Sequence, residues 1–355
     1  LLHQQMKLAY DRGIQKMWVL NVGDIKPKEL PIDFIMRYAW NPEAISAEKT
    51  GDYMIEWAQS IFGTEYAKDI ADIVSKYTKY NLLRKAEVQL PDVFSVVNYH
   101  EADRILAAWK ELTAKAEELE HKLSPEAKDA YYQLVLYPVK ASAGVAEIYL
   151  SVGKNRLYAK QGRISANDYA ARAKELFNLD WYLSNRYNNE TADGKWKHMM
   201  SDKHIGYTKW YMPENNELPE LSIINPLGIP TPGIAVEGSE AWPLMTEHLS
   251  LPVFDALNNQ TYYVEVFNRG VGEFEYTVLT SQPWIKVDKT KGKVAKENRM
   301  NISIDWSKAP QGTTEGVVEI VCGKHKAEVK VPIVNGTVPD SKEAFFGTLS
   351  DSEFS

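Results

Sequence analysis

Near the start of the chain, the run Met17-Trp18-Val19-Leu20-Asn21-Val22-Gly23-Asp24-Ile25-Lys26-Pro27 ends an apolar stretch in a small polar cluster. The amide of Asn21 can donate to and accept from adjacent hydroxyls, or hold a water, whereas an ionised Asp24 can only accept. Gly23 removes a side chain where the backbone turns tightly or a ligand comes close. Lys26, two residues on from Asp24, offers a cation that could offset a ligand carboxylate. Asn21 and Asp24 also suit simple capping of the loop and of the helix that follows, as Asx residues often do. Both roles stay open on spacing alone.

The second concentration of chemistry-bearing residues is Asp193–Pro213, which gathers Trp196, His198, Met199, Met200, His204, Tyr207 and Trp210. His198 and His204 are six apart and match neither the helical i,i+4 pair nor finger spacing, so the stretch does not read as a metal site. It reads as an aromatic platform or, on its lack of periodicity, as a segment packed back over neighbouring helices through its aromatic rings. Tyr99 with Glu101 and Arg163 with Asn167 read as solvated or interhelical pairs. There is no P-loop, dinucleotide fingerprint, nucleophile elbow or zincin motif, and no cofactor is expected.

Three zones must position these residues. The first has a helix over about 1–12 closed by Gly13, a strand over Lys16–Val22, and a helix restarting at Ile32–Trp40. The continuous apolar run Met17–Leu20 predicts a parallel strand covered on both faces. Helical patterning then leaves it without a neighbour, so its partners are expected from chain preceding Leu1, and Val19 is expected to be buried. The second zone, 44–212, is helical. Ile105, Trp109, Leu112, Ala116, Leu119 and Leu123 form one apolar stripe, Ser124-Pro125 opens the next helix, Pro138 predicts a kink or break, and Ala166–Tyr187 is another amphipathic helix. A helical bundle is expected.

A Pro/Gly-rich linker over 213–250 leads to the third zone, where the period changes to two. Six short runs within 251–336 predict an antiparallel β-sandwich of immunoglobulin-like type, with Trp284 and Trp306 in its core. Residues 337–355 are acidic and serine-rich and read as a tail or the start of a further domain.

The composition bounds the rest. With 355 residues, 44% hydrophobic and 25% charged, the chain has ample material for several cores. Its net charge of −7 argues against a nucleic-acid-binding surface. No stretch approaches a membrane span. The single cysteine, Cys322, reads as a small buried hydrophobe in a strand.

The run from Ala9 through Pro42, the run from Tyr131 through Phe177, and Gly194–Trp210 together resemble glycoside hydrolase family 115, the xylan α-1,2-glucuronidases. The resemblance extends to about Asn335. It implies a (β/α)8-type catalytic barrel ahead of a helical bundle and a sandwich, of which residues 1–43 would be the barrel's end. It also implies removal of glucuronic or 4-O-methyl-glucuronic acid from glucuronoxylan with inversion, and a secreted or periplasmic setting. On the resemblance Asn21 is the strand-end asparagine that contacts substrate or water, and Asp24 is its neighbour in the same motif. The acidic catalytic groups would lie on earlier strands, before Leu1, since glycosidic chemistry uses two carboxyls and only Asp24 here is well placed. Members often dimerise through their C-terminal domains. One departure is Leu82–Leu90, where Ala86 stands in for an expected proline. A reading of another class is a non-catalytic assembly or carbohydrate-binding module built from the bundle and sandwich.

Overall fold

The computed structural model describes residues 2–23, 25–209, 211–241 and 249–336. These fall into two compact units. One comprises residues up to 94 with 102–152 and 171–220, and the other comprises 95–101, 153–170 and 221 onward.

The first unit is helical. Helix α1 (Leu2–Asp11) ends at Gly13, whose φ of +85° is the left-handed turn that lets glycine stop a helix. Helices α2 (Glu29–Trp40), α3 (Thr50–Phe62) and α4 (Ala67–Leu83) contribute Phe34, Ile35, Tyr38, Tyr53, Trp57, Ile70, Ile73 and Val74 to one core. Helix α5 (Glu101–Lys122) buries Trp109, Leu112, Ala116 and Leu119, the stripe that its spacing of three and four dictates. Helix α6 (Pro125–Tyr131) starts behind Ser124, with proline at a position where a missing N–H costs nothing.

Pro138 does not break the chain. A π turn over Tyr132–Leu136 runs directly into α7 (Tyr137–Lys160), and Tyr137 N–H reaches back five residues to Tyr132 O. The wider ladder ends beside the residue that has no N–H to give, which reconciles the proline with continued helix. Two buried tyrosine hydroxyls find acceptors, Tyr131 donating to Ala116 O at 2.9 Å and Tyr132 to Leu183 O at 2.8 Å, while the buried Tyr187 hydroxyl has no partner among the described residues. Helix α8 (Ala166–Asn189) completes the set.

The strand expected over Lys16–Val22 does not form; the segment carries no strand pairing. A strand needs a ladder partner to satisfy its backbone. Met17 is 76% exposed and Val19 90% exposed. Trp18 turns inward, stacked on Tyr38 at 6.2 Å, with its indole N–H donated to Ile14 O at 2.6 Å.

The second unit holds two sheets. Strands β1 (Pro232–Val236), β4 (Tyr262–Asn268), β8 (Glu297–Ile304) and β6 (Ile285–Val287) make an antiparallel sheet in the order β1-β4-β8-β6. In the other sheet β2 (Leu249–Ser250), β10 (His325–Asn335), β9 (Gly312–Cys322), β5 (Phe274–Thr280) and β7 (Lys291–Val294) lie in the order β2-β10-β9-β5-β7, with β3 (Phe254–Asp255) also on β10. Strands β2 and β3 run parallel to β10. Pro332 sits between the residues they pair with, where an absent N–H breaks no bond. Val264, Val266, Met300 and Ile302 of the first sheet share a core with Val318, Ile320, Val329 and Val331 of the second. Strand β1 lies inside the stretch expected to be linker. Trp284 and Cys322 are buried, and burial pushes the Cys322 thiol up to about 11. Trp306 is half-buried, donating to Asn259 Oδ1 at 3.1 Å.

Among the described residues no helix is long and apolar enough to cross a membrane.

Candidate functional site

A cleft of about 270 Å3 in the helical unit brings the two chemistry-bearing stretches together. It is lined by Lys26, Pro27 and Lys28, by Met199, Met200, Asp202 and His204, by Tyr137, Ala141, Ser142 and Val145 of α7, and by Ala86. Lys26 is held on both flanks. Its ammonium lies 3.9 Å from the centroid of the Trp196 ring and is ion-paired with Glu29 of α2. Glu29 Oε1 also accepts from Gln133 Nε2 at 2.8 Å, while Glu29 Oε2 is buried without a hydrogen-bond partner among the described residues.

The segment that supplies Met199 to His204 is irregular backbone, so its polar groups must be satisfied one at a time. The Asn188 amide of α8 does this for Met200 in both directions: Oδ1 accepts from Met200 N–H at 2.8 Å and Nδ2 donates to Met200 O at 3.1 Å. Asn216 Oδ1 accepts from the N–H groups of His204 and Ile205 at 2.8 and 3.1 Å. Gly206 N–H donates to the Tyr149 hydroxyl at 3.0 Å. His204 Nε2 lies 2.8 Å from Asp180 Oδ1, and Nδ1 lies 2.9 Å from Asp202 O. Burial works against charge on His204, but the hydrogen bond and charge of Asp180 outweigh it and raise the imidazole above its ordinary value.

The expected site residues divide. Lys26 lines the cleft. Asn21 is exposed and outside that lining; its Oδ1 accepts from Gly23 N–H at 2.9 Å, the capping turn that its residue type allows. Asp24 and Trp210 lie outside the described residues. His198 is exposed with φ +71°, and Trp196 is half-buried against the helical core. Ala86, the departure from expected proline, lines the cleft. Asp180, Asn188 and Asn216 were not singled out by sequence, since an acid or amide on a helix or loop carries no motif.

Arg163 requires a correction. It is not a solvated partner of Asn167 but is 2% exposed, within the sheet-bearing unit. Its Nη1 is 2.6 Å from Glu265 Oε2, and its guanidinium lies 4.1 and 4.3 Å from the ring centroids of Tyr158 and Phe267. Glu265 also takes a two-pronged contact from Arg299 at 3.0 and 2.8 Å. Burial opposes the charge of Glu265, and the two guanidiniums overcome it, holding the carboxyl below its usual range. Tyr99 N–H donates to Glu237 Oε1 at 3.0 Å, and Glu101 accepts from Ser95 N–H at 2.7 Å. This cluster is a closed set of ion pairs with acceptors and donors matched, the arrangement of a structural network. Among the described residues no group of three or more His, Cys, Asp or Glu side chains is placed to hold a metal ion.

Residues 1–88 match the family model described as Glycosyl hydrolase family 115. The family 115 match contains Asn21, Asp24, Lys26, Glu29 and Ala86 and ends before α5. Val19, inside the matched stretch, is exposed.

No curated protein matches the chain. Among solved structures, a family 115 4-O-methyl-alpha-glucuronidase with specificity for decorated arabinogalactans is 19% identical with a TM-score of 0.48, the match covering 85% of this chain and 46% of that one. The present chain thus spans about half the length of that protein. A Bacteroides ovatus GH5 xyloglucanase in complex with a XXXG heptasaccharide is 20% identical with a TM-score of 0.21, over 31% of this chain and 20% of that one. A FixG-related protein from Vibrio parahaemolyticus is 13% identical with a TM-score of 0.21, over 32% of this chain and all (100%) of that one.

Proposed function

We propose that this chain is the C-terminal portion of an inverting family 115 glycoside hydrolase that removes glucuronic or 4-O-methyl-glucuronic acid side chains from xylan. The observation that carries the reading is the family 115 match over residues 1–88, together with the cleft that Lys26 from that stretch lines with Met199, Met200, Asp202 and His204. In this reading Lys26 faces the uronate carboxylate, Asn21 orients the attacking water or a sugar hydroxyl, and Asp24 binds hydroxyls or fixes the loop. The two carboxyls that glycoside cleavage requires come from chain ahead of Leu1, where the barrel strands that would flank residues 14–24 are also encoded. The bundle and the immunoglobulin-like sandwich then serve assembly, including a homodimer.

Replacing Asn21 with alanine in the full-length enzyme tests this. Loss of one positioned polar group in a site of this kind lowers turnover by more than about tenfold, with folding intact by circular dichroism. Wild-type rates in that variant remove Asn21 from the site. Intact-mass spectrometry under denaturing conditions on the protein from its source separates the enzyme from a free-standing module: a polypeptide well above 40.4 kDa is expected.

A further inference from the structure

His204 is placed so that its protonation state follows from its neighbours. A peptide carbonyl has lone pairs and no proton, so Nδ1, 2.9 Å from Asp202 O, must be the donor there. An ionised carboxylate is equally acceptor-only, so Nε2, 2.8 Å from Asp180 Oδ1, must donate as well. With both ring nitrogens carrying hydrogen the side chain is an imidazolium, and Asp180, only 5% exposed, is its buried counter-charge. The charged groups facing the pair are few. Asp180 comes from α8, and Lys203 on the same segment opposes the imidazolium. The phenol of Tyr137 on α7 faces Asp180, whose charge adds to burial in pushing that phenol up to about 12.

The position of this pair gives it a task. The segment from Trp196 to Gly206 has no helix or strand of its own to fix it, yet it supplies Met199, Met200, Asp202 and His204 to the cleft and Trp196 to Lys26. Its hydrogen bonds to Asn188, Asn216, Tyr149 and the Glu217 backbone are neutral, and its Trp196 ring takes the Lys26 ammonium. The Asp180–His204 contact is the charge-assisted one, and such bonds are about twice as strong as neutral ones.

We propose that Asp180 and His204 act as positioning residues of the cleft: the buried carboxylate on α8 holds His204 as an imidazolium and so fixes the segment from Trp196 to Gly206 as the wall facing Lys26. Neither ring nitrogen is left to touch a ligand, so the pair works through the wall it anchors. In its ligand consequence the proposal rests on the uronate reading of the cleft; in its structural consequence it does not.

Three measurements on the full chain test it. Nitrogen-15 spectra of the imidazole at pH 7 are expected to show both ring nitrogens of His204 protonated, and a neutral tautomer overturns the proposal. Amide hydrogen exchange at Met200, Ile205 and Gly206 is expected to quicken by about tenfold or more in Asp180→Asn, which keeps shape and an acceptor but lacks the charge. With the intrinsic pH dependence of amide exchange divided out, a matching loss of protection is expected in the wild type as pH rises through the His204 titration; protection that ignores both pH and the substitution overturns it. Finally, sodium glucuronate is titrated with Trp fluorescence as the readout. Affinity is expected to fall about fivefold or more in Asp180→Asn at pH 7 and to converge with wild type in alkali, and equal affinities at pH 7 overturn the proposal. Wild type that binds no glucuronate, with the spectra and exchange behaving as expected, removes the uronate reading and leaves the anchoring intact.

Discussion

Two irregular segments of the helical unit make an instructive pair. Residues 14–23 are rich in apolar side chains, yet Met17 and Val19 stand 76% and 90% exposed and the backbone finds no ladder. Residues 196–206 are a mixture of charged, polar and aromatic types with no periodicity, yet they are tied down at Met200, His204, Ile205 and Gly206. Hydrophobic content did not decide which segment is fixed. What decided it was whether side chains elsewhere meet the backbone's N–H and C=O groups, which regular structure meets automatically. Asn188, Asn216 and Tyr149 do so for the second segment. The first has one inward ring, Trp18 on Tyr38, and one local Asx turn at Asn21.

The largest effect in this comparison belongs to Asn188, which is 9% exposed and makes two bonds to one residue's backbone. Asn188→Ala leaves the Met200 N–H and C=O without that partner, and unsatisfied buried groups cost about 1–3 kcal/mol each. A loss of roughly 2–3 kcal/mol is expected in urea unfolding. A change under about 0.5 kcal/mol, the usual size for a surface substitution, would show that solvent already satisfies these groups.

His204→Gln comes next and carries a pH signature. Because the folded-state value of His204 is raised above its ordinary 6.5, the pair's stabilisation is complete below that value and is lost as pH rises through the folded value. Hydrogen bonds to charged groups contribute about 1.5–3 kcal/mol, so the variant is expected to be less stable by about that amount at pH 6 and by much less at pH 9. Thermal unfolding at the two pH values measures it, and a pH-independent difference contradicts the charge assignment. Asn216→Ala, at a half-buried position with two N–H groups on one oxygen, is expected to cost about 1 kcal/mol by the same unfolding measurement.

Which features were legible in sequence follows the same logic. The α5 stripe and the alternating β-strands announce themselves because regular structure satisfies its own backbone and leaves only the apolar period to read. Strand β1 was read as linker because its five residues are all buried, giving no alternation, and they stand among prolines and glycines. Arg163 was read as a solvated charge because its partner Glu265 is 102 residues away. Lys26 was found by its chemistry, but the Glu29, Trp196 and Gln133 contacts that place it and its counter-charge come from three separate parts of the chain. Asp180 and Asn188 belong to the same class: long-range polar partners leave no local pattern.

The smallest expected effect is the sharpest test of the contrast. Val19 lies at the centre of an apolar run, and a reading by composition makes Val19→Ser a core substitution costing about 1 kcal/mol or more. Its 90% exposure makes it a surface substitution, expected to shift the stability of this chain by no more than about 0.5 kcal/mol. Trp18→Ala on the same background provides the internal control, since the stacked ring on Tyr38 is the segment's inward contact and its loss is expected to cost more. If Val19→Ser destabilises this chain as much as Trp18→Ala, residues 14–23 are packed in solution and the two segments are alike. If it does so only within a longer polypeptide, the apolar run is a surface that further chain covers, as the proposed barrel strands require.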